Sequence, residues 1–326
     1  MKAIVCHELT GPAALRLEEV PEPYPGLGQV RVRVRACGVN FADSLITRGQ
    51  YQLQPQPPFS PGFEVAGEVL ELGAGVTSIA VGDRVIGIAG HGGYAEQAVI
   101  DAHRCVAMPA AMSFVHGAAF PVVFGTSHIA LWHRARLQAG ETLVVHGASG
   151  GVGLTAVAIG KQLGATVIAT ASSPEKLEVA RQHGADHLIN SRTEDLRVRI
   201  KALTDGRGAD VVYDPVGGDL FTASLRSVAF EGRILVIGFA GGTVPQIPAN
   251  HLLVKNVDVI GVNWPAYAEL NPHVMTTSFH MLMDWYLAGA IQPYISATYP
   301  LEQAVEALHQ VVTRQSTGKV IIAVNE

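Results

Sequence analysis

Cysteine, charge and long apolar runs are all scarce in this sequence. Only three cysteines occur in 326 residues, at Cys6, Cys37 and Cys105, and no two share a metal-ligand spacing. Their scatter predicts a reducing, cytoplasmic location and no structural zinc site. Charged residues make up 16% of the chain and the formal net charge is −5, so no nucleic-acid partner is expected. No uncharged apolar run approaches the ~20 residues of a membrane span, so no membrane partner is expected either.

Apolar residues, by contrast, make up 48% of a chain long enough for two domains. The first part reads as short strands at 30–36, 64–73 and 83–88, separated by glycine-rich turns. Alternating apolar and polar residues between such turns are typical of a small barrel or sandwich. The sequence therefore predicts a β-rich domain over 1–121.

The pattern changes near residue 122 to strands that alternate with helices. A strand at 142–146, a helix at 152–163 and a strand at 166–170 come first, and buried strands follow at 209–214, 233–237 and 257–262. Such alternation predicts a doubly wound parallel sheet of the Rossmann type over 122–263, which makes the chain an α/β protein. Two helical stretches and a strand at 319–324 then predict that 264–326 returns to the first domain.

A glycine-rich turn follows the strand at 142–146. It reads Gly147-Ala148-Ser149-Gly150-Gly151-Val152-Gly153 and leads into a helix. Strand, turn and helix in this order are typical of a dinucleotide site, where small residues admit the pyrophosphate to the helix N-terminus. Ala148 replaces the first glycine of the usual pattern. The predicted cofactor contacts in this turn are Ser149, Gly150, Gly151, Val152 and Gly153.

The next strand indicates which nicotinamide cofactor is preferred. NAD sites carry an acid about 20 residues beyond the turn, whereas this strand ends in Ser172 and Ser173 with no carboxylate at its tip. Hydroxyls with Lys176 and Arg192 favour an anionic 2′-phosphate, so the sequence predicts NADPH. Two plainer alternatives stay open: Ser173 caps a helix, and Lys176 is a solvated residue of its first turn.

Several stretches carry a resemblance to a known family: Ala36-Cys37-Gly38-Val39-Asn40-Phe41-Ala42-Asp43, Pro61-Gly62-Phe63-Glu64-Val65-Ala66-Gly67, Val81-Gly82-Asp83-Arg84-Val85, His146 to Gly153, Asp214-Pro215-Val216-Gly217-Gly218 and Gly318-Lys319-Val320. The chain resembles the zeta-crystallin-like NADPH:quinone oxidoreductases, a zinc-free branch of the medium-chain dehydrogenase/reductase superfamily. The resemblance implies a GroES-like catalytic domain, a Rossmann domain, a substrate cleft between them, and a homodimer formed by the sheet edges near 257–262.

The resemblance also places the zinc ligands of metal-containing relatives on this sequence. The first falls at Asn40 and a histidine at Phe63, neither of which can replace Cys or His at zinc. We therefore expect no metal. Without a Lewis acid, alcohol oxidation is disfavoured, while hydride addition to an electrophilic quinone or α,β-unsaturated carbonyl remains feasible.

By resemblance, three residues are expected at the reacting groups. Asn40 is a hydrogen-bond donor near nicotinamide and substrate, Tyr51 is a proton donor or a packing group, and Thr126 contacts the nicotinamide end. Plainer roles stay open: Asn40 satisfies a turn, Tyr51 lies on a surface loop, and Thr126 bonds a helix carbonyl. Further cofactor contacts are expected from Gly238, Phe239, Ala240, Asn263, Trp264 and Lys319.

Other functions fit the same sequence. An enoyl-CoA reductase acting on a substrate such as acryloyl-CoA would need basic residues at the site, and Arg48 is a candidate. A different class is an RNA-binding or crystallin-like scaffold, which the acidic balance disfavours. A third is an NADPH sensor that binds cofactor without turnover.

Overall fold

The computed structural model describes residues 1–324. Its strands are β1 (Lys2–Val5), β2 (Arg16–Glu19), β3 (Gln29–Val39), β4 (Glu64–Leu72), β5 (Arg84–Ile88), β6 (Gln97–Asp101), β7 (Cys105–Ala107), β8 (Thr142–Val145), β9 (Thr166–Ala171), β10 (His187–Asn190), β11 (Ala209–Asp214), β12 (Val228–Val236), β13 (Asp258–Gly261), β14 (Ile295–Pro300) and β15 (Lys319–Ala323). Its α-helices are α1 (Phe41–Ile46), α2 (Phe114–Ala118), α3 (Pro121–His128), α4 (Gly151–Gln162), α5 (Pro174–Gln182), α6 (Leu196–Leu203), α7 (Gly218–Ser227), α8 (Ala249–Lys255), α9 (Tyr267–Leu270), α10 (Pro272–Leu287) and α11 (Ala304–Val312).

The chain forms two compact units. Unit 1 contains Met1–Val122 and the chain from Pro293 on, and unit 2 contains Val123–Gln292. The chain therefore returns to unit 1 at residue 293 and not at the predicted 264. The reason is α10, which buries Phe279 and Leu282 within unit 2 and whose Ser278 lies 2.8 Å from Nδ1 of His128. The last two residues of the predicted segment, 325 and 326, lie outside the described residues.

Unit 1 is built on a seven-stranded sheet. Six of its strands follow the order β14-β15-β3-β4-β5-β7, and the seventh, β6, pairs with β3. In strand β3, buried valines alternate with arginines, of which Arg31 pairs with Glu71 at 2.8 Å and Arg35 with Glu68 at 3.0 Å. β15 lies antiparallel beside the far end of β3, with Val320 opposite Val39. This pairing brings the C-terminal part of the chain next to Asn40.

Unit 2 contains a six-stranded parallel sheet of order β10-β9-β8-β11-β12-β13, which confirms the predicted Rossmann topology. Leu143, Val144 and Val145 of β8 are fully buried, as expected of a strand covered on both faces. The strand order reverses between β8 and β11. Ligands of such sheets bind beyond the carboxyl ends of the strands at this reversal.

One predicted helix is interrupted in the structure. The sequence predicts a helix over 122–137, but α3 ends at His128 and a wider π-helical turn follows over Ile129–Arg134. Its extra residue brings Ala135 N–H to the carbonyl of Ala130 at 2.8 Å. Across residues 1–324, no helix is both long and apolar enough to cross a bilayer.

Candidate active site and nucleotide-binding turn

The glycine-rich turn lies at the carboxyl end of β8. Gly147 has a positive φ of 56°, and Gly150 N–H bonds the Gly147 carbonyl at 3.0 Å. A Cβ on Gly153 would collide with the Gly147 carbonyl oxygen. The turn therefore requires glycine at both positions, because one adopts a left-handed conformation and the other touches the backbone.

The helix that follows begins without a side-chain cap. Its N-cap is Gly150, and its first turn contains no acidic residue. The first bond of the i to i−4 type runs from Leu154 N–H to the Gly150 carbonyl at 2.8 Å. The N–H groups of Gly151, Val152 and Gly153 therefore have no acceptor within α4. Such a helix start can bind a pyrophosphate, so the turn fits the phosphates of a dinucleotide.

A buried histidine fixes this turn. His146 is fully buried, with Nδ1 3.0 Å from Thr170 Oγ1 and Nε2 2.7 Å from Ser224 Oγ. Burial lowers the pKa of His146, while the charge of Asp214 opposes that shift. The side chain ties β8 to β9 and α7. Sequence reasoning missed this role, although His146 is a polar residue directly after an apolar strand.

The residues predicted at the 2′-phosphate lie at the carboxyl ends of β9 and β10. These strands are neighbours, and Ser191 N–H bonds the Ala171 carbonyl at 2.9 Å, so Ser172 and Arg192 follow adjacent strand ends. Ser173 Oγ accepts the N–H of Lys176 at 3.4 Å, so Ser173 caps α5. The Ser173 hydroxyl also lowers the pKa of Glu175. The cap was one of the two alternatives left open by the sequence.

The segment Gly238-Phe239-Ala240 lies against the turn after β11. Ala240 N–H bonds the Pro215 carbonyl at 3.0 Å, so this amide is already paired within the chain. The turn is held by Asp214, whose Oδ1 accepts Val216 N–H at 2.8 Å and Gly217 N–H at 2.9 Å. Phe239 is 39% exposed. The segment therefore presents the exposed side chain of Phe239 at the carboxyl edge of the sheet, where the glycine-rich turn also lies.

Asn263 and Trp264 follow β13 and have opposite environments. Asn263 is exposed, whereas Trp264 is 2% exposed and packs edge-on against Phe279, with ring centroids 6.3 Å apart. A Cβ on Gly125 would lie 2.5 Å from the indole Nε1 of Trp264. The indole is thus a packing group beside α3, and Asn263 is the accessible member of the pair.

Thr126 is held near the nucleotide turn by its neighbour Ser127. Thr126 is 8% exposed. Ser127 Oγ donates to the Val152 carbonyl at 2.9 Å and lies 2.8 Å from Thr155 Oγ1 and 2.9 Å from Tyr213 Oη. This buried hydroxyl cluster joins α3 to the first turn of α4. Sequence reasoning missed its three members; the only local signal was a serine inside an apolar helix.

Unit 1 contains a second concentration of polar residues, buried where β3, β4 and β15 meet α1. Asn40 is the N-cap of α1 and is 8% exposed. Its side-chain amide donates to the Gly38 carbonyl at 3.1 Å and to Glu64 Oε1 at 2.8 Å. We call this group the Asn40 cluster, with the members Asn40, Asp43, Glu64, Tyr94 and Lys319.

Lys319 lies in the Asn40 cluster. Its ammonium is 2.9 Å from the Val39 carbonyl, 3.0 Å from Asn40 Oδ1 and 2.7 Å from Glu64 Oε1. These three acceptors match its three hydrogens, and the side chain is 4% exposed. The partners of the Lys319 ammonium thus belong to unit 1, and the expected cofactor contact of Lys319 stays a prediction.

The same network limits the expected role of Asn40. Both hydrogens of its amide are bonded within unit 1, and Oδ1 accepts from Lys319. The side chain therefore has no hydrogen left for a substrate in this arrangement, in contrast to the donor role expected from the sequence. What Asn40 does in the structure is cap α1 and connect Glu64 with Lys319.

The Glu64–Lys319 ion pair is buried on both sides. Glu64 is fully buried, and its second oxygen accepts Val122 N–H at 2.8 Å. A Cβ on Gly38 would collide with the Glu64 carboxylate and the Ala118 carbonyl, so glycine there lets the acid approach β3. Burial also raises the pKa of the Cys37 thiol well above its ordinary value, which fits an inert packing role for Cys37.

Tyr51 lies beside Phe63, with ring centroids 6.2 Å apart and the rings edge to face. Burial, and then the charge of Asp43, raise the pKa of the Tyr51 phenol. The phenol is therefore protonated at neutral pH and can donate a proton. Phe63 occupies the position at which zinc relatives are expected to carry histidine. Within residues 1–324, no group of three or more His, Cys, Asp or Glu side chains is arranged to hold a metal.

A Rossmann sheet with an uncapped glycine-rich turn, joined to a β-rich unit, defines the medium-chain dehydrogenase/reductase class. Two family models match the chain: an alcohol dehydrogenase GroES-like domain at residues 26–110 and a zinc-binding dehydrogenase domain at residues 151–279. These matches confirm the GroES-like domain and the superfamily inferred from the sequence.

Relatives that match over nearly the full length of the chain show which family within this class it belongs to. The chain is 43% identical to quinone oxidoreductase-like protein 2 of Bos taurus, covering 99% of this chain and 92% of the relative. It is 32% identical to the quinone oxidoreductase of Homo sapiens, covering 99% and 97%. The chain belongs to the quinone oxidoreductase family, as the sequence motifs predict.

Solved structures agree with this assignment. The Pseudomonas syringae quinone oxidoreductase matches with a TM-score of 0.93 at 34% identity, covering 99% of each chain. The Escherichia coli quinone oxidoreductase, solved in complex with NADPH, matches with a TM-score of 0.92 at 31% identity, covering 99% of this chain and 100% of the other.

Proposed function

We propose that this protein transfers a hydride from NADPH to a quinone or an α,β-unsaturated carbonyl compound, with no metal taking part. The observation that carries the proposal is the uncapped start of α4 at the carboxyl end of β8, where three backbone N–H groups have no acceptor within the helix. NADPH in the related Escherichia coli enzyme supports the choice of cofactor.

The residues that would hold the cofactor follow the strand ends of unit 2. Ser149 and the N–H groups of Gly150, Gly151, Val152 and Gly153 bind the pyrophosphate. Lys176 and Arg192, with Ser172 beside them, bind the 2′-phosphate, and Ser173 acts through its cap of α5. The nicotinamide end is formed by Thr126, Gly238, Phe239, Ala240, Asn263 and the main chain of Trp264. When bound, NADPH supplies the hydride.

Tyr51 is the proposed proton donor. An acceptor that takes up a hydride on its conjugated carbon develops negative charge on the carbonyl oxygen. A proton on that oxygen gives an enol, which tautomerises to the quinol or to the saturated carbonyl compound. The Tyr51 phenol, which stays protonated because its pKa is raised, gives this proton and regains one from water. Because the negative charge is delocalised over the enolate, no Lewis acid is required.

Asn40 acts as a positioning residue in this proposal. It links Glu64 and Lys319, so the segment from Val39 into α1 is fixed by a buried ion pair. Asn40 and Phe63 stand at the positions of the zinc ligands in metal-containing relatives. This substitution supports a reaction that depends on acceptor electrophilicity and not on a metal.

The test combines a binding titration with a panel of acceptors. We expect NADPH to bind with micromolar affinity, more tightly than NADH, and to be oxidised by quinones and enones. Tight NADPH binding with no turnover on any acceptor would favour the sensor. No NADPH binding, together with salt-dependent retention on RNA, would favour the scaffold.

An enoyl-CoA reductase is the second candidate. The CurK enoyl reductase matches with a TM-score of 0.90 at 27% identity, covering 99% of each chain. Arg48, whose Nη1 lies 3.4 Å from Ser44 Oγ, is a candidate partner for the CoA phosphates. A kcat/KM for acryloyl-CoA well above that for any quinone, reduced in Arg48→Ala, would select this candidate.

We further propose a cytoplasmic homodimer. Strand β13 is an edge strand that pairs with β12 alone among the described strands, and such an edge is available to a second copy. Leu253 and Val254 of the preceding α8 are 78% and 77% exposed. Light scattering in solution tests this: a monomer at micromolar concentration would contradict it.

A further inference from the structure

Asp43 occupies an unusual place in the Asn40 cluster. It is fully buried on α1. Its Oδ2 accepts the main-chain N–H of Asn40 at 2.8 Å and the phenolic O–H of Tyr94 at 3.0 Å. Among the described residues, no group bonds Oδ1. A carboxylate would leave a charged oxygen unpaired in the interior, which is costly, whereas a neutral carboxyl leaves only a polar one.

The groups that face Asp43 come from every neighbouring element. They are Cys37 on β3, Glu64 on β4, Tyr51 after α1, Tyr94 before β6, and Lys319 on β15. Burial raises the pKa of Asp43 from 3.8 to about 7, against the opposing effects of the Asn40 N–H, the Tyr94 hydroxyl and the charge of Lys319. The positive charge of Lys319 and the negative charge of Glu64 cancel. Ionisation of Asp43 therefore gives the cluster one net negative charge.

Asp43 is also electrostatically connected to the proposed proton donor. Its negative charge raises the pKa of the Tyr51 phenol. A phenol with a higher pKa gives up its proton less readily. The same charge opposes the negative charge that grows on an acceptor while it takes up the hydride. Ionised Asp43 therefore hinders both parts of the reduction, and neutral Asp43 hinders neither.

We propose that Asp43 is a positioning residue that makes reduction pH-dependent: as a neutral carboxyl it holds the main chain of Asn40 and leaves the reaction unopposed, and its ionisation slows proton transfer from Tyr51. This inference rests on the proposed function. Tyr94 lowers the pH at which Asp43 ionises, because its hydroxyl donates to Oδ2 and stabilises the carboxylate.

The test is the pH profile of kcat/KM for quinone reduction in four proteins. In the wild type, kcat/KM falls about tenfold as the pH rises through neutrality. Asp43→Asn can still accept the Asn40 N–H but cannot ionise, so this decline disappears. Tyr94→Phe removes a hydrogen bond that stabilises the carboxylate, so the midpoint moves to higher pH. Asp43→Asn thus abolishes the decline, whereas Tyr94→Phe shifts its midpoint. A general loss of packing would not produce these two different changes.

Asp83→Asn is the matched control. Asp83 Oδ2 accepts the N–H of Ala80, three residues earlier, at 2.8 Å, in an exposed turn of the same unit. This variant keeps the wild-type profile. If Asp43→Asn folds poorly, the direction of the Tyr94→Phe shift decides the question. A decline that persists in Asp43→Asn, or a midpoint that stays or falls in Tyr94→Phe, would overturn the inference.

A direct titration separates this inference from the proposed function. Carbon-13 NMR of labelled aspartate, assigned by Asp43→Asn, follows the carboxyl without any substrate. We expect its midpoint near neutrality. A midpoint below pH 5 overturns the inference even if quinones are reduced. If no acceptor is reduced, the proposed function fails and the inference fails with it, whatever the carboxyl titration gives.

Discussion

The two units build their candidate sites from different parts of the chain. In unit 2, the turn between β8 and α4 uses backbone N–H groups and glycines within seven consecutive residues, 147–153. In unit 1, the Asn40 cluster uses charged and polar side chains from β4 and β15, from α1 and its N-cap, and from the segment before β6. The first kind of site is damaged by adding atoms, and the second by removing a charge or a hydrogen-bonding group.

The strongest way to test this contrast is to remove one charge from unit 1. Glu64→Gln leaves the Lys319 ammonium buried among neutral oxygens, so we expect a loss of about 3–5 kcal/mol in the free energy of unfolding. Urea denaturation measures it. The double variant Glu64→Gln/Lys319→Met should recover part of the loss. Glu178→Gln, which breaks an exposed pair with Arg181, should change little. Equal effects at both pairs would contradict the account.

The corresponding change in unit 2 adds atoms. Gly153→Val pushes side-chain carbons into the Gly147 carbonyl, which distorts the turn, so NADPH affinity should fall about 100-fold, or about 3 kcal/mol. Calorimetric titration measures the affinity. Gly261→Ala is the control, because a Cβ there meets nothing within 4 Å. Unchanged binding in Gly153→Val would show that this turn does not hold the cofactor.

The units should also respond to acid in opposite directions. His128 in unit 2 is buried, which lowers its pKa from 6.5 to about 4. Its contribution to stability is complete above pH 6.5 and is lost as the pH falls towards 4. Asp43 in unit 1 has a pKa raised to about 7, so its contribution is complete below about pH 4 and is lost as the pH rises through 7.

Between pH 7 and pH 5, each group should change the free energy of unfolding by about 2 kcal/mol, with opposite signs. Urea denaturation across this range, compared among wild type, His128→Gln and Asp43→Asn, isolates each contribution. His128→Gln should lose less stability than the wild type on acidification, and Asp43→Asn should lose more. Parallel curves for all three proteins would refute both assignments.

The smallest expected effect concerns a single half-buried charge, Lys176, at the proposed 2′-phosphate site. Lys176→Ala should raise the KM for NADPH about tenfold and leave that for NADH unchanged, because only NADPH carries the 2′-phosphate. Steady-state kinetics with both cofactors measures this, and NADH serves as the internal control. Equal losses for both cofactors would mean that Lys176 supports α5 and does not recognise phosphate.

The contrast also explains what the sequence could predict. The turn at 147–153 and the cap at Ser173 were predictable, because strand, turn and helix signals are local. The position of Lys319 was not, since it depends on β15 pairing with β3 across 279 residues of chain. Asn40 was singled out by its motif, but its full set of intramolecular bonds follows from that pairing.

Two further differences have a similar cause. The return to unit 1 was predicted at 264, because the alternation of strands and helices stops there. The structure keeps α10 in unit 2 through contacts of Ser278 and Phe279 with residues far apart in sequence. The π-helical turn at Ile129–Arg134 escaped detection because its apolar periodicity hardly differs from that of an α-helix.

The most direct test of the central claim follows hydride transfer in protein treated with a chelator and analysed for metal. With NADPH deuterated at the transferred position and a quinone as acceptor, we predict a primary isotope effect on kcat/KM and a rate that neither chelation nor added zinc changes. Activity that disappears on chelation and returns with zinc, or NADPH that no acceptor oxidises, would contradict the account.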